Sequence, residues 1–203
     1  MPLQLYDKEE TLDACLSVFA RHGYDNTSTA MLAEAAGVSK ALLFHHFRTK
    51  KNLYLCVLDR CFEKGRAEMG FDALLEQENF FDAKEKFSAV KFDFYLRNHD
   101  LYKFVSDAFW ATPHDVKTEI TERYGALIAN KDQEWERLFD TVPLKAGVDR
   151  EEAFRLVMLV LDYCDDKFLA ELPVDGELNE AHFRSFLDER NRLLAMVRFG
   201  IEK

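Results

Sequence analysis

At 203 residues the chain is long enough for one ordinary domain, or for a small domain joined to a larger one, and its 48% of apolar residues supply a real core. A net charge of −10 argues against nucleic acid for the chain as a whole, and no apolar run approaches the roughly 18 residues of a membrane span. No basic-then-apolar leader pattern opens the chain, so the expected compartment is the cytoplasm. There Cys15, Cys56, Cys61 and Cys164, which lack CxxC spacing, stay reduced as small core residues.

Helical periodicity runs through every long segment, and no alternating strand pattern appears. A first helix is expected over Lys8–His22. Asp7 and Glu10 form its capping box, Leu12, Cys15, Leu16 and Phe19 make its apolar face, and Gly23 stops it. Ser28 or Thr29 caps a second helix that buries Leu32 and Ala36. Ser39 caps a third, and Thr49 caps a fourth that continues to about Met69.

Between the second and third helices, Ala33, Ala35, Ala36 and Gly37 are small enough for a close crossing, and Gly37 accepts a positive φ. Val38, Leu43 and Phe47 would plug a small core. Two short helices so joined make a helix-turn-helix, whose second helix enters the DNA major groove. Charge supports this locally. Residues 1–53 hold six Lys and Arg against six Asp and Glu, so the whole deficit of −10 lies in the remaining 150 residues. Lys40, Arg48, Lys50 and Lys51 follow Gly37 with no acid among them before Leu53. An acidic body would repel DNA and leave only the head docked.

Further on, a looser stretch is expected over Phe71–Asp82, then a fifth helix over Ala83–Asn98 and a sixth over Leu101–Ala111. Thr112 serves as N-cap and Pro113 as first residue of a seventh helix that reaches Phe139. The loop TVPLKAGVD leads to helix eight (Arg150–Glu171), and LPVDGELN leads to helix nine (Glu180–Gly200). LVMLVL (Leu156–Leu161) is apolar all round, the mark of a helix covered on every side. Phe154, Val157, Met158, Leu161, Cys164 and Phe168 follow coiled-coil-like spacing, as do Phe183, Phe186, Leu187, Leu193, Leu194 and Val197. The two helices are expected to meet their symmetry mates in a four-helix bundle, with Phe154, Val157, Met158, Leu161, Phe168, Phe186, Leu187, Leu194 and Val197 at the dimer interface.

From Thr11 to Leu53 the chain resembles the N-terminal domain of the TetR family of bacterial transcriptional regulators. The resemblance rests on VFARHGY closing the first helix, on TST, and on the ordered run LAEAAGVSKALLFHHFRTKKNL. It implies an all-α fold: a three-helix helix-turn-helix domain (residues 1–48) and a helical effector-binding and dimerisation domain (residues 49–203), about nine helices in all. It implies a ligand-responsive regulator, most often a repressor, that binds a palindromic double-stranded operator as a homodimer.

By position, the resemblance assigns Thr29 to a phosphate and Ala30 to the groove. It assigns Lys40, Ala41 and Leu42 to base edges, Phe44 and His46 to the backbone, and Lys50 to a phosphate. Bare chemistry agrees in part: Lys40 can donate to guanine, and Ala41 or Leu42 can lie on a thymine methyl. Two departures from the family stand out. Phe44 lacks the hydroxyl of the usual tyrosine, and Leu42 replaces a hydroxylic residue, so readout leans on methyl contacts and DNA shape.

The body is expected to hold a small apolar or aromatic-compatible effector among Phe62, Phe92, Tyr95, Phe104, Phe109, Trp110, Tyr124 and Ile128, with His99, Asp107 and His114 as polar candidates. No cofactor, metal or catalytic residue is expected. GxGxxG, P-loop, GxSxG and HExxH patterns are absent, and His45 and His46, adjacent on a helix, diverge by about 100°. A helical ligand-binding or scaffolding dimer without DNA binding is the alternative.

Overall fold

The computed structural model describes residues 7–70, 79–170 and 180–203. The LPVDGELN loop and most of the stretch 71–82 fall outside them. Nine α-helices are described: α1 (Lys8–Asn26), α2 (Thr29–Ala35), α3 (Lys40–Phe47), α4 (Lys50–Met69), α5 (Phe80–Arg97), α6 (His99–Trp110), α7 (Lys117–Phe139), α8 (Arg150–Ala170) and α9 (Glu180–Ile201). A 3₁₀ turn, His114–Val116, leads into α7. Among the described residues the only extended pairing is an isolated bridge, Leu144 to Glu202. The fold is all-α, with an N-terminal helix-turn-helix followed by a helical body. Among the described residues no helix is long and apolar enough to cross a membrane.

Local chemistry sets most helix starts. Asp7 Oδ1 accepts from the amides of Glu9 (2.7 Å) and Glu10 (3.1 Å). Ser28 Oγ accepts from Met31 N (3.2 Å), Ser39 Oγ from Leu42 N (3.1 Å) and Thr49 Oγ1 from Asn52 N (3.0 Å). Each satisfies an amide that the first helical turn leaves without a partner. Gly23, at φ 71° and ψ 169°, kinks α1, and a further short turn carries the helix to Asn26. Boundaries differ from expectation: α5 begins at Phe80 rather than Ala83, inside the stretch expected to be looser, with Asn79 Oδ1 accepting from Phe81 N (2.8 Å). Thr112 does not cap α7; its hydroxyl donates to Phe109 O (3.2 Å) and closes α6. Pro113 is extended at ψ 136°, so the next helix starts beyond it as the 3₁₀ turn.

The chain divides into two compact units, Met1–Met69 with Arg97–Ile128, and Gly70–Leu96 with Ala129–Lys203. In the first, Leu12, Cys15 and Phe19 of α1 are buried, as are Leu32, Leu43, Phe47, Leu53, Tyr54 and Leu58 from α2 to α4. Phe19 meets Tyr54 edge-on at 5.1 Å, and Tyr54 meets Phe104 of α6 at 4.7 Å, tying the head to the helices behind it. Arg60 of α4 grips Asp13 of α1 with two hydrogen bonds (2.8 and 2.9 Å). Cys15 and Cys61 lie inside, and burial pushes both thiols up to about 12, so they are packing residues rather than nucleophiles.

The second unit centres on Phe80, which meets Phe139 edge-on at 5.0 Å and Trp135 at 6.1 Å. Ala153, Val157, Leu161, Leu194 and Ile201 complete the core. Arg150 donates to Phe139 O (2.9 Å) and Val142 O (3.0 Å), closing the end of α7. The loop after it is pinned to the end of α9 by Lys145 N to Ile201 O (2.8 Å) and Lys203 N to Pro143 O (3.0 Å).

The LVMLVL segment is not covered on every side within the chain. Val157 is fully buried, while Leu156 and Leu159 are 44% and 60% exposed.

Candidate nucleic-acid interface

The turn between α2 and α3 is built from small residues and one left-handed glycine. Gly37 sits at φ 65°, with its amide on Glu34 O (3.0 Å), and Val38 N reaches Ala33 O (3.1 Å). A residue with a Cβ would be strained there. Leu32 and Leu43 are fully buried and Phe47 nearly so, which fixes α3 against the rest of the head. The opposite side of α3 faces outward: Lys40, Ala41, His45 and His46 are exposed, and Leu42 and Phe44 are half-buried. Half-burial leaves Leu42 and Phe44 edges that can meet both the head's core and a groove.

Of the other expected DNA contacts, Ala30 is exposed and Thr29 is half-buried at the first turn of α2. Lys50 has an engagement within the chain that its sequence position did not reveal. Its ammonium donates to Tyr24 O (2.9 Å) and Thr27 O (3.1 Å) and lies 4.1 Å from the Tyr24 ring centroid. It therefore ties α4 to the end of α1. Lys51 is paired with Glu119. Lys40 and Arg48 are exposed and make no ion pair among the described residues.

Arg48 carries a feature absent from the sequence reading. Its φ and ψ are 63° and −53°, and Thr49 N reaches back to Phe47 O at 2.7 Å. This is a γ-turn of the positive-φ kind, a strained conformation that persists only where its surroundings enforce it. The enforcement is visible: Arg48 N bonds Phe44 O (3.0 Å), and the Asn52 amide bonds Phe47 O (3.1 Å). The strained turn projects a basic residue between the recognition helix and α4.

Of the residues expected around an effector, Phe62, Phe104, Phe109, Trp110, Tyr124 and Ile128 lie in the first unit, and Phe92 and Tyr95 in the second. In the first unit, Phe62 stacks on Tyr124 (4.4 Å) and meets Phe109 edge-on (5.6 Å). Tyr124 donates its hydroxyl to Asp59, and burial, followed by that carboxylate, pushes the phenol up. Phe104 belongs to the Phe19–Tyr54 cluster, Trp110 is 67% exposed, and Ile128 lies near the surface. Phe92 and Tyr95 lie in the second unit, where Phe92 meets Phe168 and Phe183. Of the polar candidates, Asp107 is half-buried and its carboxyl is raised by burial, while His99 faces Asp100 (3.9 Å). A cleft of about 360 Å³ opens in the first unit along Leu12, Leu16, Val57, Arg60, Lys64 and Leu101; the polar candidate His99 lines it, and none of the expected aromatic or aliphatic wall residues does.

Of the expected interface residues, Val157, Leu161 and Leu194 are buried in the second unit's own core, and Phe154, Met158 and Val197 pack against it. Phe168 and Phe186 meet each other at 4.8 Å, and Leu187 is half-buried. Among the described residues, the large apolar side chains left outward on α8 and α9 are Leu156, Leu159, Tyr163, Met196 and Phe199.

The sequence model described as "Bacterial regulatory proteins, tetR family" matches residues 12–57, the span of this head. The chain is 22% identical over 176 residues to IcaR of Staphylococcus epidermidis, the negative transcriptional regulator of a biofilm operon, covering 76% of this chain and 80% of that protein. It is 33% identical over 76 residues to the transcriptional repressor ComR of Escherichia coli, covering 37% of this chain and 36% of that one. The fold is shared with the transcriptional regulator FadR of Bacillus subtilis, solved in complex with stearoyl-CoA, at a TM-score of 0.61 and 13% identity over 94% of this chain and 97% of that one. The turn, the buried plugs and the outward face of α3 all lie inside the span, residues 12–57, that matches the tetR family of bacterial regulatory proteins.

Proposed function

We propose that this transcriptional regulator works as a cytoplasmic homodimer, that each copy lays α3 in the major groove of a palindromic operator, and that a small effector held by the helical body alters the affinity. The observation that carries the reading is the outward face of α3, with Lys40 and Arg48 exposed and without acidic partners in a chain of net charge −10. Repression is the mode we favour, in keeping with the names borne by IcaR and ComR. FadR solved with stearoyl-CoA supports an effector site in the body. The outward Leu156, Leu159, Tyr163, Met196 and Phe199 supply an apolar face for a second copy. Thr29, Ala30, Lys40, Ala41, Leu42, Phe44, His46 and Lys50 are our proposed DNA contacts. We ascribe no catalytic step to the chain.

The mechanism is a two-state one. One arrangement of the two heads matches groove faces about 34–36 Å apart, and effector binding favours another. Selection of bound sequences from a random DNA pool tests the reading. The expected product is a two-fold symmetric consensus; enrichment of no sequence would refute it.

A further inference from the structure

The bases that follow Gly37 in the head are not left equal by the fold. Lys50 places two donors inside the chain, on Tyr24 O (2.9 Å) and Thr27 O (3.1 Å), with its ammonium over the Tyr24 ring. Lys51 is held by Glu119 of α7. Lys40 opens α3, at the end of a recognition helix that reads base edges. Arg48 is exposed and makes no ion pair among the described residues.

Arg48 is also held in a conformation that an arginine adopts only under constraint. Its φ of 63° and ψ of −53° belong to a γ-turn, closed by Thr49 N on Phe47 O at 2.7 Å. Arg48 N on Phe44 O (3.0 Å) and the Asn52 amide on Phe47 O (3.1 Å) fix that backbone. A glycine would take this φ without strain, so strain kept at an arginine points to a use for its side chain. The turn anchors the base of the side chain, and the exposed guanidinium is carried just past the last turn of α3.

Eight residues separate Lys40 from Arg48, about 12 Å at a helical rise of about 1.5 Å per residue. Arg48 therefore lies well beyond the base edges that Lys40 meets. The acceptors a duplex offers most often are phosphate and sugar oxygens, which take half or more of protein–DNA hydrogen bonds. A planar guanidinium can hold two oxygens of one phosphate, a geometry that an ammonium lacks.

We infer that Arg48 grips a phosphate of the duplex backbone and supplies more of that attraction than Lys50, whose main work is to hold the end of α1 against α4. The inference rests on the reading of α3 as the DNA-reading helix and adds a contact outside those named above.

The test uses the full chain and two fluorescein-labelled duplexes of equal length, the selected operator and an unrelated sequence, with anisotropy followed across a salt series. Each phosphate contact contributes about 0.9 to the slope of log affinity against log salt, so a dimer lacking both copies of the Arg48 side chain loses about two from it. Arg48→Ala weakens both duplexes by the same factor, about tenfold or more, because a phosphate carries no sequence. Its thermal midpoint stays at that of the natural chain, since the side chain is exposed. Lys50→Met lowers the midpoint, through the lost bonds to Tyr24 and Thr27, and changes the slope less than Arg48→Ala does. Arg48→Gly, which suits the positive φ, is the check should Arg48→Ala fail to fold. An unchanged slope, a loss confined to the operator, or a larger slope change in Lys50→Met overturns the inference. If the natural chain binds its operator and Arg48→Ala binds it undiminished, only the phosphate contact falls. If the natural chain binds neither duplex, the reading of α3 falls and the inference with it.

Discussion

Burial is the largest influence on Lys84. Repulsion from Lys131 and Lys91 adds to it, Asp165 and Asp132 oppose it, and the amine comes down from 10.5 to about 7. The folded chain therefore resists holding this proton while the unfolded chain keeps it, so between pH 7 and 9 the unfolded state binds more protons and stability rises with pH. The gain is about 2 kcal/mol over that window. Above about pH 9 the thiols of Cys15 and Cys61 ionise only when unfolded and pull the other way. Urea unfolding at pH 7, 8 and 9 should show the rise in the natural chain. In Lys84→Met it should show a flatter profile and greater stability at pH 7; a natural profile already flat contradicts the account. No sequence pattern marked Lys84, because a lysine on an amphipathic helix reads as solvated until the tertiary partners are known. The γ-turn at Arg48 was hidden for a related reason: positive φ is legible at Gly37 but not at an arginine held by Phe44, Phe47 and Asn52.

At the scale of elements, the helix starts at Asp7, Ser28, Ser39 and Thr49 were legible because capping is settled within four residues. Thr112-Pro113 was misread because a threonine can as well close the helix behind it as open the one ahead. Periodicity on α8 and α9 revealed two apolar helices but not which side faces the subunit itself. The spacing that pointed to a partner is largely the spacing of the subunit's own core, and the outward residues lie between those positions. The two sets predict opposite behaviour. Leu159→Asp with Phe199→Asp should convert a dimer to a monomer by light scattering while far-UV circular dichroism stays unchanged. Val157→Ala should keep the dimer and lose about 1–3 kcal/mol of stability by denaturant unfolding. A dimer that survives the double aspartate variant removes these helices from the interface.

Over the whole molecule, charge separates the two tasks. Residues 1–53 are neutral in sum and concentrate their bases after Gly37, while the other 150 residues carry the full −10. That asymmetry, with the ordered motif around the turn, made the DNA-reading head legible from the sequence alone. The sequence named the aromatic rings of the body but not the unit each joins: Phe62 and Tyr124 pack in one, Phe92 and Phe183 in the other.

The central claim, that α3 reads bases through its outward face, is tested most directly by Lys40→Ala. Lys40 is exposed at the start of α3 and unpaired with any acid among the described residues, and the Ser39 cap survives its loss, so the fold is left intact. Binding to the selected operator should weaken about tenfold or more, while binding to unrelated DNA at the same salt concentration changes far less. Undiminished operator affinity, or an equal loss on both DNAs, would contradict the account.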